Sequence, residues 1–199
     1  KMRDKTVAEW IDFYTFGESA TFEIITDTTT QLTLTGPDTS KMLESTLVEP
    51  LQPFSLVETS ITGVRSVIWR TLSSGTDSYE VITEKANEKL VWETLVAKGA
   101  TPVKKSVWEV FRVAHGMPVY GAEFGEETNP LESRLRGAVS FSKGCYTGQE
   151  VVARLDTYQK VQRKLMAVSL NGSAQPGDSL LVDGRRIGTV TSVALIPGE

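Results

Sequence analysis

The chain has 199 residues, 40% hydrophobic and 23% charged, enough to bury a real core in one large domain or two small ones. Its 21 Lys plus Arg against 25 Asp plus Glu leave a net charge of −4, which gives no electrostatic case for a nucleic-acid coat or a polybasic membrane anchor. A single Cys excludes an internal disulfide framework, and with a single His it excludes a zinc or iron–sulfur ligand set drawn from this chain alone.

Apolar runs fall far short of a membrane span, so a soluble protein is expected. Lys1–Lys5 is polar and no apolar signal core follows, so no secretory peptide is expected either. Thr21–Thr26 and Leu32–Thr35 carry alternating β-branched, aromatic and polar residues and predict two strands around a turn at Asp27–Thr30. Gly36-Pro37-Asp38 stops the strand and opens a helix whose Met42, Leu43 and Leu47 form an apolar stripe. Phe54–Ile61, Val64–Leu72 and Tyr79–Ile82 predict three more strands, with turns at Thr62-Gly63 and Ser73–Asp77. Glu84–Lys98 predicts a helix with Ala86, Leu90, Val91 and Leu95 on one face and Gly99 just past its end. The order is that of an α+β fold, an antiparallel sheet covered by helices on one side. Trp69, Trp92 and Trp108 are expected in the core.

Ser106-Val107-Trp108-Glu109 has the form of a capping box, predicting a helix from Ser106 to His115 that closes at Gly116. His115 is expected to cap or turn rather than catalyse. Pro118–Pro130 reads as a long, turn-rich loop. Thr147–Tyr158 predicts a helix with Val151, Val152 and Leu155 inward and a Glu150–Arg154 ion pair outside. From Val161 the pattern predicts a small β-domain with hairpin dipeptides at Asn171-Gly172, Pro176-Gly177 and Asp183-Gly184.

Lys143-Gly144-Cys145-Tyr146-Thr147-Gly148-Gln149-Glu150 is the most unusual segment, with two glycines bracketing the sole cysteine directly before a helix. Glycine lets backbone approach a ligand closely or take φ > 0. The helix N-terminus and the adjacent Lys143 favour thiolate over thiol, which makes a reachable, reactive sulfur at Cys145 physically reasonable. The alternative is a small buried hydrophobe in a domain-linking turn.

This octapeptide resembles the hallmark of the YgfZ family, folate-binding relatives of the glycine cleavage T protein that support iron–sulfur enzymes. Trp108–Gly116, then Pro118 and Asn129-Pro130-Leu131-Glu132, resemble the segment that precedes the motif, and Ala153–Tyr158 is most similar to the cyanobacterial and plastid branch. The resemblance runs from about Leu34 to Val193. It implies a three-lobed fold holding folate centrally, with residues 1–21 a remnant of a preceding lobe, 22–115 the sheet domain, 116–160 a second lobe and 161–199 the start of a β-barrel-like domain. It also implies that the family's amino-terminal segment, which carries the T protein's catalytic aspartate, precedes Lys1, and that its last barrel strands follow Glu199.

Arg70–Glu80 aligns with the T protein's pterin-binding stretch: Arg70, Gly75, Asp77 and Glu80 match, while Ser73 replaces a folate-contacting tyrosine. The implied cofactor is tetrahydrofolate or a related reduced folate, bound by Glu80, Arg112 and Arg70. A carboxylate suits a pterin because it accepts two parallel N–H bonds from the ring edge. Without the resemblance, Glu80 is an exposed strand carboxylate and Arg112 a surface partner of Glu109. Cys145, with Lys143 beside it, is the candidate reactive site, and no resident metal is expected. The implied partners are iron–sulfur client proteins or assembly factors, for a monomer in the cytoplasm or an organellar matrix (plastid or mitochondrion). Two other functions compete: a tetrahydrofolate-dependent aminomethyltransferase, against which Ser73 and the cysteine motif weigh, and an interaction domain with no ligand.

Overall fold

Two threonine hydroxyls determine where the first strand begins. In a computed structural model that describes residues 3–17, 19, 21–47, 49–73 and 76–195 (side chains at 72, 73 and 76 excepted), Thr28 and Thr29 each donate both a hydroxyl and a backbone N–H to the Ile25 carbonyl. Such local side-chain bonds compete with strand pairing. The strand expected at Thr21–Thr26 therefore does not form, and β1 runs Thr29–Thr35. Gly75 and the Ser73 side chain, both part of the T-protein alignment, lie outside the described residues.

The chain divides into two compact units, Lys1–Pro102 and Val103–Glu199. In the first, β1 is followed by α2 (Thr39–Leu43), β2 (Leu56–Ile61), β3 (Val64–Ser73), β4 (Thr76–Glu84) and α3 (Glu88–Ala97), and α1 (Asp4–Tyr14) precedes them. The four strands form one antiparallel sheet in the order β1-β4-β3-β2. Thr62 and Gly63, with φ of 53° and 81°, make the two-residue turn between β2 and β3 that suits right-twisted strands.

Strand alternation gives the sheet two unlike faces. One carries Leu34, Ile68, Tyr79 and Val81, which pack with Ile61, with Leu43 of α2 and with Val91 and Leu95 of α3. The opposite face carries Thr33, Glu80, Trp69 and Leu56 in one cross-strand row. Trp69 is 40% exposed and Leu56 65% exposed. The expectation of a core Trp69 is thus corrected: it alternates with the buried Ile68 and has the wrong parity for the helix-covered side. Trp92 is likewise exposed, and so are Leu90 and Ala86, because the turn at Lys85–Asn87 precedes a helix whose inward line is Val91 and Leu95, four residues apart.

In the second unit α4 runs Lys105–Ala114, and the sheet-domain grouping that the sequence suggests for this helix falls across the boundary between units. Its first hydrogen bonds go to the Lys104 carbonyl, which places Ser106 inside the first turn, so the expected capping box is not made. Gly116 (φ 63°) ends it, with Met117 N–H bonding back to Arg112 C=O at 2.7 Å. Trp108 is only partly buried and stacks on Phe111 at 5.6 Å. α5 spans Gln149–Thr157; Val151 is exposed, and the helix's ion pair joins Asp156 to Arg136 rather than Glu150 to Arg154. Asp183 and Gly184 form the expected tight turn between β5 (Ser179–Val182) and β6 (Arg185–Thr189). Asn171-Gly172 does not join paired strands, and among the described residues from Val161 onward this hairpin is the sole sheet, with no closed barrel.

Leu43 is fully buried between helix and sheet, so Leu43→Ala should lower unfolding free energy by about 2–5 kcal/mol, against less than about 1 kcal/mol for Leu90→Ala. Urea denaturation of both variants tests the assignment; equal losses would contradict the inward line drawn for α3.

Candidate functional site

Glu80 stands in the middle of β4, half-buried on the sheet face opposite the helices. Its Oε2 accepts a bond from Thr33 Oγ1 at 2.8 Å and another from Gln31 Nε2 at 3.0 Å, both from β1. Thr33 is its direct cross-strand partner, and Gln31 lies two residues along on the same face. Trp69 is its cross-strand partner on β3. Glu80 therefore presents a carboxylate with one oxygen fixed, next to an exposed indole. The other oxygen, Oε1, has no hydrogen-bond partner among the described residues. This arrangement fits the edge and face of a planar heterocycle that carries N–H donors. Gln31 and Thr33 escaped the sequence reading, since only the register reveals that they meet Glu80.

Arg70 lies on the other face, opposite Tyr79 in the β3–β4 register. Its Nη1 donates to Leu51 C=O at 2.6 Å and its Nη2 to Asp77 Oδ1 at 2.5 Å. Ser40 Oγ links Asp77 Oδ2 to the Tyr79 hydroxyl, 2.9 Å from each. The Arg70 Nε is buried without a partner. Hydrogen bonds from Arg70 and Ser40 hold the Asp77 carboxyl below its ordinary range. Arg70 and Glu80, two of the four matched residues of the pterin-like stretch, are thus separated by the thickness of the sheet: Glu80 faces outward, and Arg70 ties β3 and β4 to the loop before β2.

Arg112 is buried on α4 rather than at the surface. The expected pair with Glu109 is present, Nε to Oε2 at 2.7 Å, but Nη1 also bonds both carboxylate oxygens of Glu123 at 3.1 Å, and Nη2 bonds Ser192 Oγ at 3.0 Å. The Glu123 side chain is only 6% exposed. Burial pushes its carboxyl up, but hydrogen bonds from Ser192, the Val119 N–H and Arg112 outweigh that and hold it below its ordinary range. All three nitrogens of the Arg112 guanidinium are engaged within the chain, tying α4 to the Pro118–Pro130 loop and to the carboxyl-terminal segment. Glu123 had no sequence signal, since it lies in a loop without periodicity. His115 Nδ1 sits 2.8 Å from Phe111 C=O, a turn-ending role as expected.

Cys145 is exposed and unpaired, in irregular backbone four residues before α5. Gly148 supplies the left-handed residue (φ 89°) at the helix cap. Gly144 has an ordinary φ and open space where a Cβ would stand, so in this conformation nothing approaches it closely. Gln149 Oε1 accepts the Tyr146 N–H at 3.1 Å and fixes the turn. The Lys143 ammonium lies 4.8 Å from the centre of the Tyr146 ring, a cation–π contact. Lys143, Cys145 and the α5 start thus fall in one short stretch of the second unit, with the Lys143 ammonium on the Tyr146 ring. Among the described residues, no group of three or more His, Cys, Asp or Glu could hold a metal ion, and no helix is long and apolar enough to cross a membrane.

The antiparallel sheet with one helix-covered face and the Glu80 cradle define an α+β domain of a recognisable kind. Residues 1–143 match the family model described as the GCVT N-terminal domain, and the chain belongs to that family. It is 30% identical over 94% of its length to the chloroplastic protein At1g60990 of Arabidopsis thaliana, provisionally named a transferase, of which it covers 44%. It is 31% identical over 83% of its length to an aminomethyltransferase of Rubrobacter xylanophilus, covering 46% of that protein. The aminomethyltransferase of Thermotoga maritima is 29% identical over 92% of the chain and 52% of its own length. The chain spans about half the length of these curated relatives.

The lowered Glu123 and Asp77 carboxyls make stability acid-sensitive. Their contribution is fully present above the unfolded carboxylate pKa, near 4, and is lost as pH falls through the lower folded values. Glu123→Gln should cost on the order of 3 kcal/mol at neutral pH by leaving Arg112 under-paired, and it should flatten the acid limb of a stability-versus-pH curve. An unchanged acid limb in that variant would contradict the pairing.

Proposed function

We propose that this protein binds a reduced folate, the pterin edge meeting Glu80 and its ring lying against Trp69, and that it serves iron–sulfur enzymes as an accessory factor of the YgfZ kind. The observation that carries the folate reading is the Glu80 cradle: Gln31 and Thr33 hold one carboxylate oxygen and leave the other for a ligand, beside an exposed aromatic side chain. Family membership and the aminomethyltransferase relatives support the same ligand class. Arg70 and Arg112 enter as supports, one bracing β3 and β4 beneath the Glu80 face and the other bracing α4 within the second unit.

The iron–sulfur reading rests on Cys145. A lone exposed thiol cannot hold a cluster, but it can act on a client or bridge to one. Its octapeptide is the feature most like YgfZ, and Lys143 and the α5 start lie beside it. An organellar matrix suits this reading, given that one relative is named as chloroplastic. The second reading, an aminomethyltransferase, draws on the names of the bacterial relatives. It requires tetrahydrofolate-dependent release of a methylene unit from an aminomethyl donor, which the accessory reading does not.

Calorimetric titration of tetrahydrofolate into the intact protein should show binding that Glu80→Gln weakens by roughly 10- to 100-fold, the loss expected for a charged hydrogen-bond acceptor. Equal affinity of the variant would remove Glu80 from the site, and absence of binding would leave an inherited fold without its ligand. In a strain lacking the protein, Cys145→Ala should fail to restore iron–sulfur enzyme activity; full restoration would eliminate the proposed role of the thiol.

A further inference from the structure

Within the second unit, Leu131, Arg134, Arg136, Lys164 and Met166 line a cleft of ≈ 460 Å³. A rigid bend builds one wall. Asn129 Oδ1 accepts the Leu131 N–H at 2.9 Å, Glu132 Oε2 accepts the Asn129 N–H at 3.2 Å, and Leu135 N–H bonds Pro130 C=O at 2.8 Å. The other wall is fixed to it, Leu165 N–H donating to Glu132 C=O at 2.8 Å and Arg163 pairing with the Glu132 carboxylate at 3.3 Å. The Asn129-Pro130-Leu131-Glu132 segment thus borders an open depression whose Leu131 is buried while Arg134, Arg136, Lys164 and Met166 are exposed.

Three cations and no acid line this cleft. Arg136 is neutralised by Asp156 and lies against the Phe141 ring at 4.7 Å. Arg134 and Lys164 form no ion pair among the described residues, so the cleft keeps two uncompensated positive charges in a protein whose net charge is −4. Arg134 also has φ of 59°, a left-handed conformation that a residue bearing a side chain seldom adopts. A volume in the small-molecule range and an overall acidic chain favour a small anion over a polyanionic macromolecule.

We infer that this cleft binds a small ligand carrying carboxylate or phosphate groups on a short apolar stem, with Arg134 and Lys164 taking the anionic groups and Leu131 and Met166 the stem. The inference stands apart from the pterin reading of Glu80, and its test does not use a folate. Tricarballylate and inorganic pyrophosphate serve as the carboxylate and phosphate probes, titrated into the intact protein at low and at physiological salt. Binding of either probe, weakening with salt and falling by about tenfold or more in Arg134→Asn/Lys164→Gln, is the expected result, and the probe that binds tells carboxylate from phosphate. Asn tolerates the left-handed backbone at position 134, and thermal melting should show the double variant folded. Arg185→Gln, on the hairpin outside the cleft, should leave binding unchanged. Failure of both probes to bind, or equal binding by the double variant, would overturn the inference.

Discussion

Because side chains along a strand point alternately to the two sides of a sheet, the register that pairs Trp69 with Glu80 also pairs Arg70 with Tyr79 on the reverse. Everything proposed for the first unit depends on that parity. The covered side buries Tyr79, Val81 and Ile68 beneath α2 and α3, and burial there locks β4 in one register. Once β4 is locked, Glu80 has no choice of side. A slip of one residue would turn its carboxylate toward the apolar layer of Leu34, Ile68 and Val81, where an unpaired charge is costly to bury.

Polar fastenings extend this control beyond the apolar core. Arg70, Asp77, Ser40 and Tyr79 close one end of the sheet against α2 and the loop before β2. In the second unit, Arg112 does comparable work for α4 through Glu109, Glu123 and Ser192. Such buried charges cost desolvation, so they hold structure only while fully paired. Both arginines are expected from the sequence to bind the ligand, yet each spends its donors on its own chain. They order the surroundings of a site more than they offer it hydrogen bonds.

Much of the fold was legible in the sequence because its signals are local. The β2–β3 hairpin follows from Thr62-Gly63 between β-branched runs, the α3 stripe from Val91 and Leu95, and the end of α4 from Gly116. Reading failed where a local signal was outcompeted. Thr28 and Thr29 turned an apparent strand into a turn, and the first bonds of α4 went to Lys104 so that Ser106 lost its capping position. It also failed where the partner is distant: Gln31 lies 49 residues from Glu80, and Ser192 lies 80 from Arg112. Periodicity revealed that Trp69 sits on a strand but not which side the helices would cover. The cysteine segment was legible as a motif, and its exposure agrees with a reachable sulfur.

The central claim is that a pterin ring docks on the uncovered side of the sheet. Two-dimensional NMR of the intact protein, following the Trp69 indole N–H and the Gln31 side-chain amide during addition of tetrahydrofolate, tests it most directly. The account predicts saturable shifts of both signals with a common midpoint. Saturation of the protein with neither signal moving would contradict it.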